Sequence, residues 1–262
     1  MQYETLTVEV AGHVATVTLN RPEVRNAFNE AMIADVTAAF TALGARDDVR
    51  AIVLAGSGKA FCAGADLNWM RKMAGYSDAE NRADAMRLAQ MLSAVYRCPK
   101  PVVARVHGDA YAGGMGLVCA ADIVVAVESA HFCLSEARLG LMPATIAPYV
   151  IRALGEQASR RYFVTAEAFD CVTAQRLGLV SEAVSAEDLD ATVQRITETL
   201  CANSPNAVRE CKQLVQDIAG QTIDDALIED TAVRISRIRA SEEGRDGVSS
   251  FLEKRTPRWR DQ

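Results

Sequence analysis

The chain has 262 residues, half of them hydrophobic, and a formal net charge of −6. This size and composition allow a substantial buried core and argue against disorder. The acidic balance argues against a general binder of nucleic acids or membrane surfaces, and the sequence shows neither a secretion leader nor a long apolar run. We therefore expect no nucleic-acid or membrane partner.

The cysteines and histidines indicate no metal centre and no disulfide framework. Seven cysteines are scattered without any Cys-x-x-Cys spacing, which favours reduced core residues in a cytoplasmic protein. The three histidines, His13, His107 and His131, are far apart in the sequence, so a metal site is not expected.

The first half of the chain alternates predicted strands and helices. Two strands around the Ala11-Gly12 turn form a predicted hairpin within residues 3–20, and Asn29 is a candidate cap for the next helix. The apolar run 51–55 is typical of a strand covered on both faces. The other predicted elements are a helix over 79–97 that ends before Pro99 and Pro101, strands at 102–106, 122–127 and 131–134, and a helix that opens at Gly113.

The pattern changes after Pro143. Predicted strands are limited to 178–180 and 183–184, whereas the predicted helices cover 186–202, 204–219, 222–239 and 241–253. The order predicts an α/β core in residues 1–200 and a helical C-terminal part in residues 201–262. No linker rich in proline, glycine or serine separates them, so we expect the two parts to pack together.

Two features between Val106 and Ile146 indicate chemistry. A glycine pair, Gly113 and Gly114, opens an apolar helix and lets a ligand come close to the backbone. The first amides of a helix lack intrahelical partners and carry the positive end of its dipole, so they can stabilise an anionic oxygen. The second feature is Glu136, which lies in a short polar step between apolar runs. Desolvation would raise the pKa of this carboxyl group, which favours a role as proton carrier.

Five motifs occur in order along the chain: Asn20-Arg21-Pro22, FCAGADL at 61–67, GDAYAGG at 108–114, Glu136 with Leu139-Gly140, and FLEKR at 251–255. Together they resemble the crotonase, or enoyl-CoA hydratase/isomerase, superfamily from end to end. The segments 66–70 and 132–141 are most similar to bacterial methylglutaconyl-CoA hydratases of leucine breakdown.

The resemblance implies an α/β fold, a spiral of repeated strand-strand-helix turns with a helical C-terminal trimerisation part, and hence a homotrimer or hexamer. It implies an acyl-CoA thioester as substrate, with coenzyme A as part of that substrate and no separate cofactor. The backbone amides of Ala65 and Gly113 would hold the thioester oxygen, where the charge of an enolate collects.

The same resemblance assigns residues to the rest of the acyl-CoA. The adenine and pantetheine would lie against the loop 63–67, which includes Ala63, Asp66 and Leu67, and Gly114 belongs to the same binding segment. Arg25 and Lys254 match positions that contact CoA phosphates; a solvated surface charge is the alternative for each. Arg138 is a candidate for the distal carboxylate of a glutaconyl-type substrate, and a structural ion pair is its alternative.

One position departs from the pattern of two-base hydratases. Their first glutamate lies three residues after the oxyanion-hole glycine, where this chain has Gly116, so Glu136 would act alone. The structural alternatives for Glu136 are a buried salt bridge to Arg138 and a charge at a strand edge. The favoured hypothesis is hydration of a short branched enoyl-CoA, 3-methylglutaconyl-CoA to 3-hydroxy-3-methylglutaryl-CoA. The alternatives are an isohexenylglutaconyl-CoA hydratase, an enoyl-CoA isomerase that uses Glu136 as a proton shuttle, and an inactive CoA-binding scaffold.

Overall fold

The computed structural model describes residues 2–260 as a mixed α/β fold around a six-stranded sheet. Numbered in chain order, the strands of this sheet are, from edge to edge, β1 (Leu6–Ala11), β2 (Val14–Leu19), β3 (Ala51–Gly56), β4 (Val102–Val106), β6 (Ile123–Val127) and β9 (Glu182–Val184). β1 and β2 form the predicted antiparallel hairpin, and every later pair in the sheet is parallel. Parallel neighbours need long crossovers, and these crossovers carry the helices.

A second, three-stranded sheet carries the glycine segment. It consists of β5 (Ala110–Tyr111), β7 (His131–Cys133) and β8 (Ala168–Asp170), with β5 parallel to β7 and β7 antiparallel to β8. The sequence pattern did not predict β8. Because β5 leads into the glycine helix and β7 leads to Glu136, their pairing brings the two predicted features of the site side by side.

The helices alternate with these strands and then follow one another at the C-terminus. They are α1 (Glu30–Gly44), α2 (Leu67–Met73), α3 (Asp78–Tyr96), α4 (Gly113–Ala120), α5 (Ala147–Leu154), α6 (Glu156–Thr165), α7 (Cys171–Arg176), α8 (Leu189–Ala202), α9 (Pro205–Ile218), α10 (Asp225–Ala240) and α11 (Glu242–Glu253). The predicted cap is confirmed, since the Asn29 side chain accepts a hydrogen bond from the Met32 amide. No helix within residues 2–260 is long and apolar enough to cross a membrane.

The predicted strand at 178–180 is wrong. Leu179 and Val180 are buried, but the amide N–H groups of both donate to the Ala174 carbonyl at the end of α7. The apolar residues therefore mark a buried turn that ends a helix, and the strand that follows is β9.

The core contains most of the cysteines. Five of the seven are buried, Cys201 is half-buried and Cys211 is exposed. The expectation that the cysteines are core residues is therefore wrong for Cys211, because α9 buries none of its side chains fully within this chain.

The C-terminal helices contact the α/β core through polar groups. Lys212 Nζ of α9 lies 2.6 Å from Asp122 Oδ2 and donates to the Lys100 carbonyl at 3.1 Å. Large apolar side chains on α11 stay exposed, among them Phe251 at 83% and Leu252 at 73%. Exposed apolar surface of this kind is typical of an interaction surface. The boundary at residue 200 and the oligomeric state stay predictions.

Candidate active site

The first candidate oxyanion donor lies in the loop 63–67, which pairs with Phe28. The Phe28 amide donates to the Gly64 carbonyl at 2.6 Å, and the Asp66 amide donates to the Phe28 carbonyl at 2.8 Å. These two bonds form a parallel bridge between Phe28 and Ala65. In such a bridge the N–H and C=O of the bracketed residue face the other side. Within residues 2–260 the Ala65 N–H donates to no protein acceptor.

The same loop is joined to the glycine segment on its other side. The Tyr111 amide donates to the Cys62 carbonyl at 2.9 Å, and Cys62 bridges Ala110. Gly64 has a φ of +91°, and a Cβ there would lie 2.9 Å from the Ala112 Cβ. Glycine is therefore required at position 64, both for its φ and for the close approach. This contact places the Ala65 loop directly against the residues that open α4.

The second candidate donor is the first amide of α4. Ala112 precedes the helix with a φ of 49°, and no side chain caps this end. In the described part of the chain, the amides of Gly113 and Gly114 donate to no protein acceptor. A Cβ at Gly114 would lie 2.5 Å from the Cys62 carbonyl oxygen, so α4 can approach the loop closely only with glycine there. Free amides at the positive end of a helix favour a negative charge.

Glu136 reaches this region through β7. The Ala112 amide donates to the Cys133 carbonyl at 2.8 Å, and three residues later Glu136 begins a short 3-10 helix that ends at Leu139. The Oε2 atom of Glu136 is buried and has no hydrogen-bond partner among the described residues. Burial raises the pKa of Glu136 above its ordinary range. A carboxyl group that is desolvated and unpaired is suited to take up and return a proton.

Arg138 does not pair with Glu136. No ion pair joins the two side chains between residues 2 and 260; instead Arg138 Nη2 donates to the Ala166 carbonyl at 2.6 Å. Ala166 ends α6, so the guanidinium lies at the negative end of that helix dipole. The salt bridge between Glu136 and Arg138 is therefore absent within residues 2–260. The structural partner of Arg138 is the Ala166 carbonyl instead.

The packing around Gly116 explains why this position carries no second carboxylate. A Cβ at Gly116 would lie 2.3 Å from Ile146 Cγ2 and 2.9 Å from Ile146 Cβ. Ile146 is only 2% exposed and directly precedes α5. The isoleucine side chain therefore occupies the space that a glutamate at position 116 would need.

Asp66 has a structural function that the sequence did not indicate. Its Oδ1 accepts the Asn68 and Trp69 amides at the start of α2, and its Oδ2 pairs with Arg21 Nη2 at 2.9 Å. Burial alone would raise the pKa of Asp66, but the hydrogen bonds from the Asn68 amide, Arg21 and Trp69 lower it overall. The Asp66 carboxylate is therefore engaged within the protein, and its contact with CoA stays a prediction.

Three of the other predicted CoA residues, Leu67, Arg25 and Lys254, are exposed to solvent. Leu67 is 68% exposed, Ala63 is half-buried, and the Ala63 amide donates to the Arg25 carbonyl at 3.0 Å. Arg25 and Lys254 are both exposed, with φ values of 54° and 55°. The structure thus places Arg25 beside the loop, whereas Lys254 ends α11.

Three features of the site have no signal in the sequence. Phe28 pairs with the Ala65 loop and Ile146 fills the space beside Gly116, and both contacts join distant parts of the chain. The third is the indole of Trp69, which is 5% exposed and whose Nε1 is buried without a partner in the described residues. Pairing across the fold could not be inferred from local patterns.

Comparisons with known proteins identify the family of this chain. The family model for "Enoyl-CoA hydratase/isomerase" matches residues 9–262. The chain belongs to this family. The fold of the enoyl-CoA hydratase/isomerase family, with its C-terminal helices, is thereby confirmed for this chain.

Members of the family with solved structures superpose closely. A crystal structure of an enoyl-CoA hydratase from Shewanella pealeana has 42% identity and a TM-score of 0.96, covering 98% of this chain and 97% of that one. The AtuE protein of Pseudomonas aeruginosa has 35% identity and a TM-score of 0.93, covering 98% and 99%. Among curated relatives, the enoyl-CoA hydratase ACTT6 of Alternaria alternata is 36% identical over 82% of this chain and 69% of its own length.

Proposed function

We propose that the protein hydrates an enoyl-CoA, with the Ala65 and Gly113 amides on the thioester oxygen and Glu136 as the acid and base. The family and its enoyl-CoA hydratase relatives support hydration in general. The observation that carries the assignment of residues is the buried, unpartnered Oε2 of Glu136, in the short 3-10 helix that follows β7, the strand that pairs with the glycine segment.

In the proposed reaction Glu136 acts first as a base and then as an acid. Glu136 as carboxylate takes a proton from water while the water oxygen bonds to C3 of the enoyl group. The electron pair of the C2=C3 bond moves through C2 and C1 to the thioester oxygen, where the Ala65 and Gly113 amides hold the enolate. The carboxylic acid of Glu136 then returns the proton to C2. One molecule of water is added and Glu136 is regenerated.

The expected contributions are of familiar size. General acid-base assistance contributes roughly a hundred- to ten-thousandfold in rate. Loss of one oxyanion-hole donor costs on the order of a hundred- to a thousandfold. Because both donors of this site are backbone groups, substitution of a side chain tests them only through its effect on their positions.

An enoyl-CoA isomerase is the second candidate. A single carboxylate can move a proton between two carbons of the same enolate without adding water, and the Gly116–Ile146 contact leaves Glu136 without a second glutamate at position 116. The relatives support hydration, since two of the three named above are described as enoyl-CoA hydratases. An inactive CoA-binding scaffold is opposed by the buried free carboxyl of Glu136.

The finer substrate in this proposal is 3-methylglutaconyl-CoA, converted to 3-hydroxy-3-methylglutaryl-CoA in leucine degradation. Its support is the resemblance of segments 66–70 and 132–141 to methylglutaconyl-CoA hydratases. Arg138 lies two residues beyond Glu136 and uses one of its five N–H groups on Ala166, so other N–H groups remain for a distal carboxylate. The longer isohexenylglutaconyl-CoA is the alternative substrate of the same class.

The proposal also assigns the CoA moiety and the assembly. Arg25 and Lys254 would contact CoA phosphates, and coenzyme A would enter only as part of the substrate. The exposed apolar side chains of α9–α11, such as Phe251, support a homotrimer or hexamer. Size-exclusion chromatography with light scattering would test the assembly separately from the activity.

The decisive experiment follows the ultraviolet absorbance of the conjugated thioester with a panel of enoyl-CoAs and identifies products by mass. Wild type should consume 3-methylglutaconyl-CoA with a mass gain of one water, and Glu136→Gln should lose at least about a hundredfold in kcat. Glu128→Gln is the matched control, because Glu128 is exposed and lies after β6. Double-bond migration without water uptake would replace hydration by isomerisation. If the wild type is as inert as Glu136→Gln on the whole panel, both enzymatic hypotheses fail and the inactive CoA-binding scaffold is the remaining hypothesis.

A further inference from the structure

Phe28 contacts both candidate oxyanion donors, which come from distant parts of the chain. Its backbone brackets Ala65, through the bond from the Phe28 amide to the Gly64 carbonyl at 2.6 Å and the bond from the Asp66 amide to the Phe28 carbonyl at 2.8 Å. The direction of the Ala65 N–H is therefore set by the position of the Phe28 backbone.

The ring of Phe28 supports the other donor. A Cβ at Gly113 would lie 2.6 Å from Phe28 Cε2 and 2.9 Å from Phe28 Cδ2, so the first residue of α4 rests on the edge of the ring. Phe28 is 1% exposed and belongs to the buried core, which leaves the ring little freedom to move. The separation between the Gly113 amide and the Phe28 backbone is therefore fixed by a rigid aromatic side chain.

We infer that Phe28 is a positioning residue: its backbone and ring together set the distance and angle between the Ala65 and Gly113 amides that hold the thioester oxygen. This inference rests on the proposed function. Its physical basis is that donors fixed in advance stabilise developing charge without reorganisation, and that a misplacement of about 1 Å can cost on the order of a hundredfold in rate. Phe28 itself touches no reacting atom.

The test replaces the ring by a branched aliphatic side chain. Phe28→Leu keeps the backbone bridge and an apolar side chain but removes the ring edge below Gly113. Phe40→Leu is the matched control, since Phe40 is also 1% exposed and lies in α1, away from both donors. We expect Phe28→Leu to lower kcat by about ten- to a hundredfold relative to Phe40→Leu, with KM for 3-methylglutaconyl-CoA changed less than about threefold.

A second readout separates positioning from a loss of stability. In the Glu136→Gln background the enoyl-CoA stays unreacted, and Raman difference spectra report the stretching frequency of its bound thioester carbonyl. Two well-placed donors lower this frequency. Adding Phe28→Leu should move the frequency back toward its value in water, whereas adding Phe40→Leu should leave it unchanged. If Phe28→Leu does not fold, Phe28→Met is used, because methionine adapts to irregular core space.

The outcomes for the two proposals are distinct. An active wild type whose kcat and carbonyl frequency respond to Phe28→Leu no more than to Phe40→Leu would overturn the positioning function and leave hydration intact. An inert wild type whose bound thioester still shows a shift that depends on Phe28 would refute hydration and leave the positioning function standing.

Discussion

Gly116→Ala tests whether Ile146 occupies the space of the missing glutamate. The new Cβ would lie 2.3 Å from Ile146 Cγ2, 2.9 Å from Ile146 Cβ and 3.5 Å from Leu92 Cδ2. Carbon atoms in contact are normally about 3.5–4.0 Å apart, so Ile146 must move by more than about 1 Å. The Cβ of Ile146 is itself within this overlap, so a change of rotamer alone cannot relieve it.

The expected free energies follow from two opposing effects. Overpacking typically costs about 1–3 kcal/mol, and replacing glycine by alanine inside a helix returns roughly 0.8–1 kcal/mol. Gly116→Ala should therefore destabilise the protein by about 0–2 kcal/mol. Ile146→Ala alone opens a cavity and should cost about 2–5 kcal/mol. In the double variant the new methyl group fills part of that cavity, so the two effects should not add.

The assay is urea unfolding of the two single variants and the double variant at one protein concentration, since association shifts apparent stability. A favourable coupling of about 0.5–3 kcal/mol is expected between positions 116 and 146. Gly75→Ala is the control partner for Ile146→Ala, because a Cβ at Gly75 would meet only the Lys72 carbonyl, at 3.6 Å. The contact would be refuted if the changes in unfolding free energy at positions 116 and 146 add as completely as those at positions 75 and 146.

Glu136→Gln should raise the free energy of unfolding near neutral pH and leave it unchanged below the ordinary glutamate pKa of about 4.5, as urea unfolding at the two pH values would show. Burial raises the folded-state pKa, so the unfolded state loses its proton first as pH rises, and stability falls between the ordinary and the raised pKa. Gly64→Ala should lower kcat, because its φ of +91° and the 2.9 Å approach to Ala112 would displace the loop; unchanged kinetics would argue against that contact. Asp66→Asn should cost about 1–3 kcal/mol in urea unfolding, because it weakens the charged hydrogen bond to Arg21, and an unchanged midpoint would contradict this assignment.

Signals that act between near neighbours in the chain were sufficient for much of the fold. The Asn29 cap, the hairpin around Gly12 and the helix that ends before Pro99 all depend on interactions within a few residues. Such interactions limit the backbone wherever the segment lies in the fold, so their patterns could be interpreted without knowledge of the tertiary structure.

The elements between residues 147 and 176 were missed for physical reasons. Helices α5 and α6 are short and are separated by Gly155, whose φ of 77° breaks the helical period between them. Strand β8 has three residues and exists because it pairs with β7. Neither short helices nor a strand defined by its partner leaves a long periodic pattern.

The residues of the candidate site also separate into those that local signals predicted and those that depend on distant contacts. Glu136, Gly113 and the loop around Ala65 were predicted because their chemistry and the family motifs mark them. Phe28 and Ile146 could not be predicted, because each acts through a contact with a distant glycine, Gly113 and Gly116 respectively. An apolar residue in the core looks the same in the sequence whether it fills space or sets the position of a catalytic amide.

Unfavourable local features are concentrated where the proposed chemistry takes place. Ala112 has a φ of 49° and a ψ of −121°, a conformation that costs an alanine on the order of 1–3 kcal/mol. The α4 helix that follows begins without a capping side chain, and the Oε2 of Glu136 is buried without a partner within residues 2–260. Each feature alone would destabilise the protein, but the start of α4 leaves the Gly113 amide free for the substrate, and the buried site leaves the Glu136 carboxyl free. An enolate oxygen bound to the Gly113 amide would satisfy an N–H group that the fold leaves open, so part of the cost in stability is offset when the transition state forms.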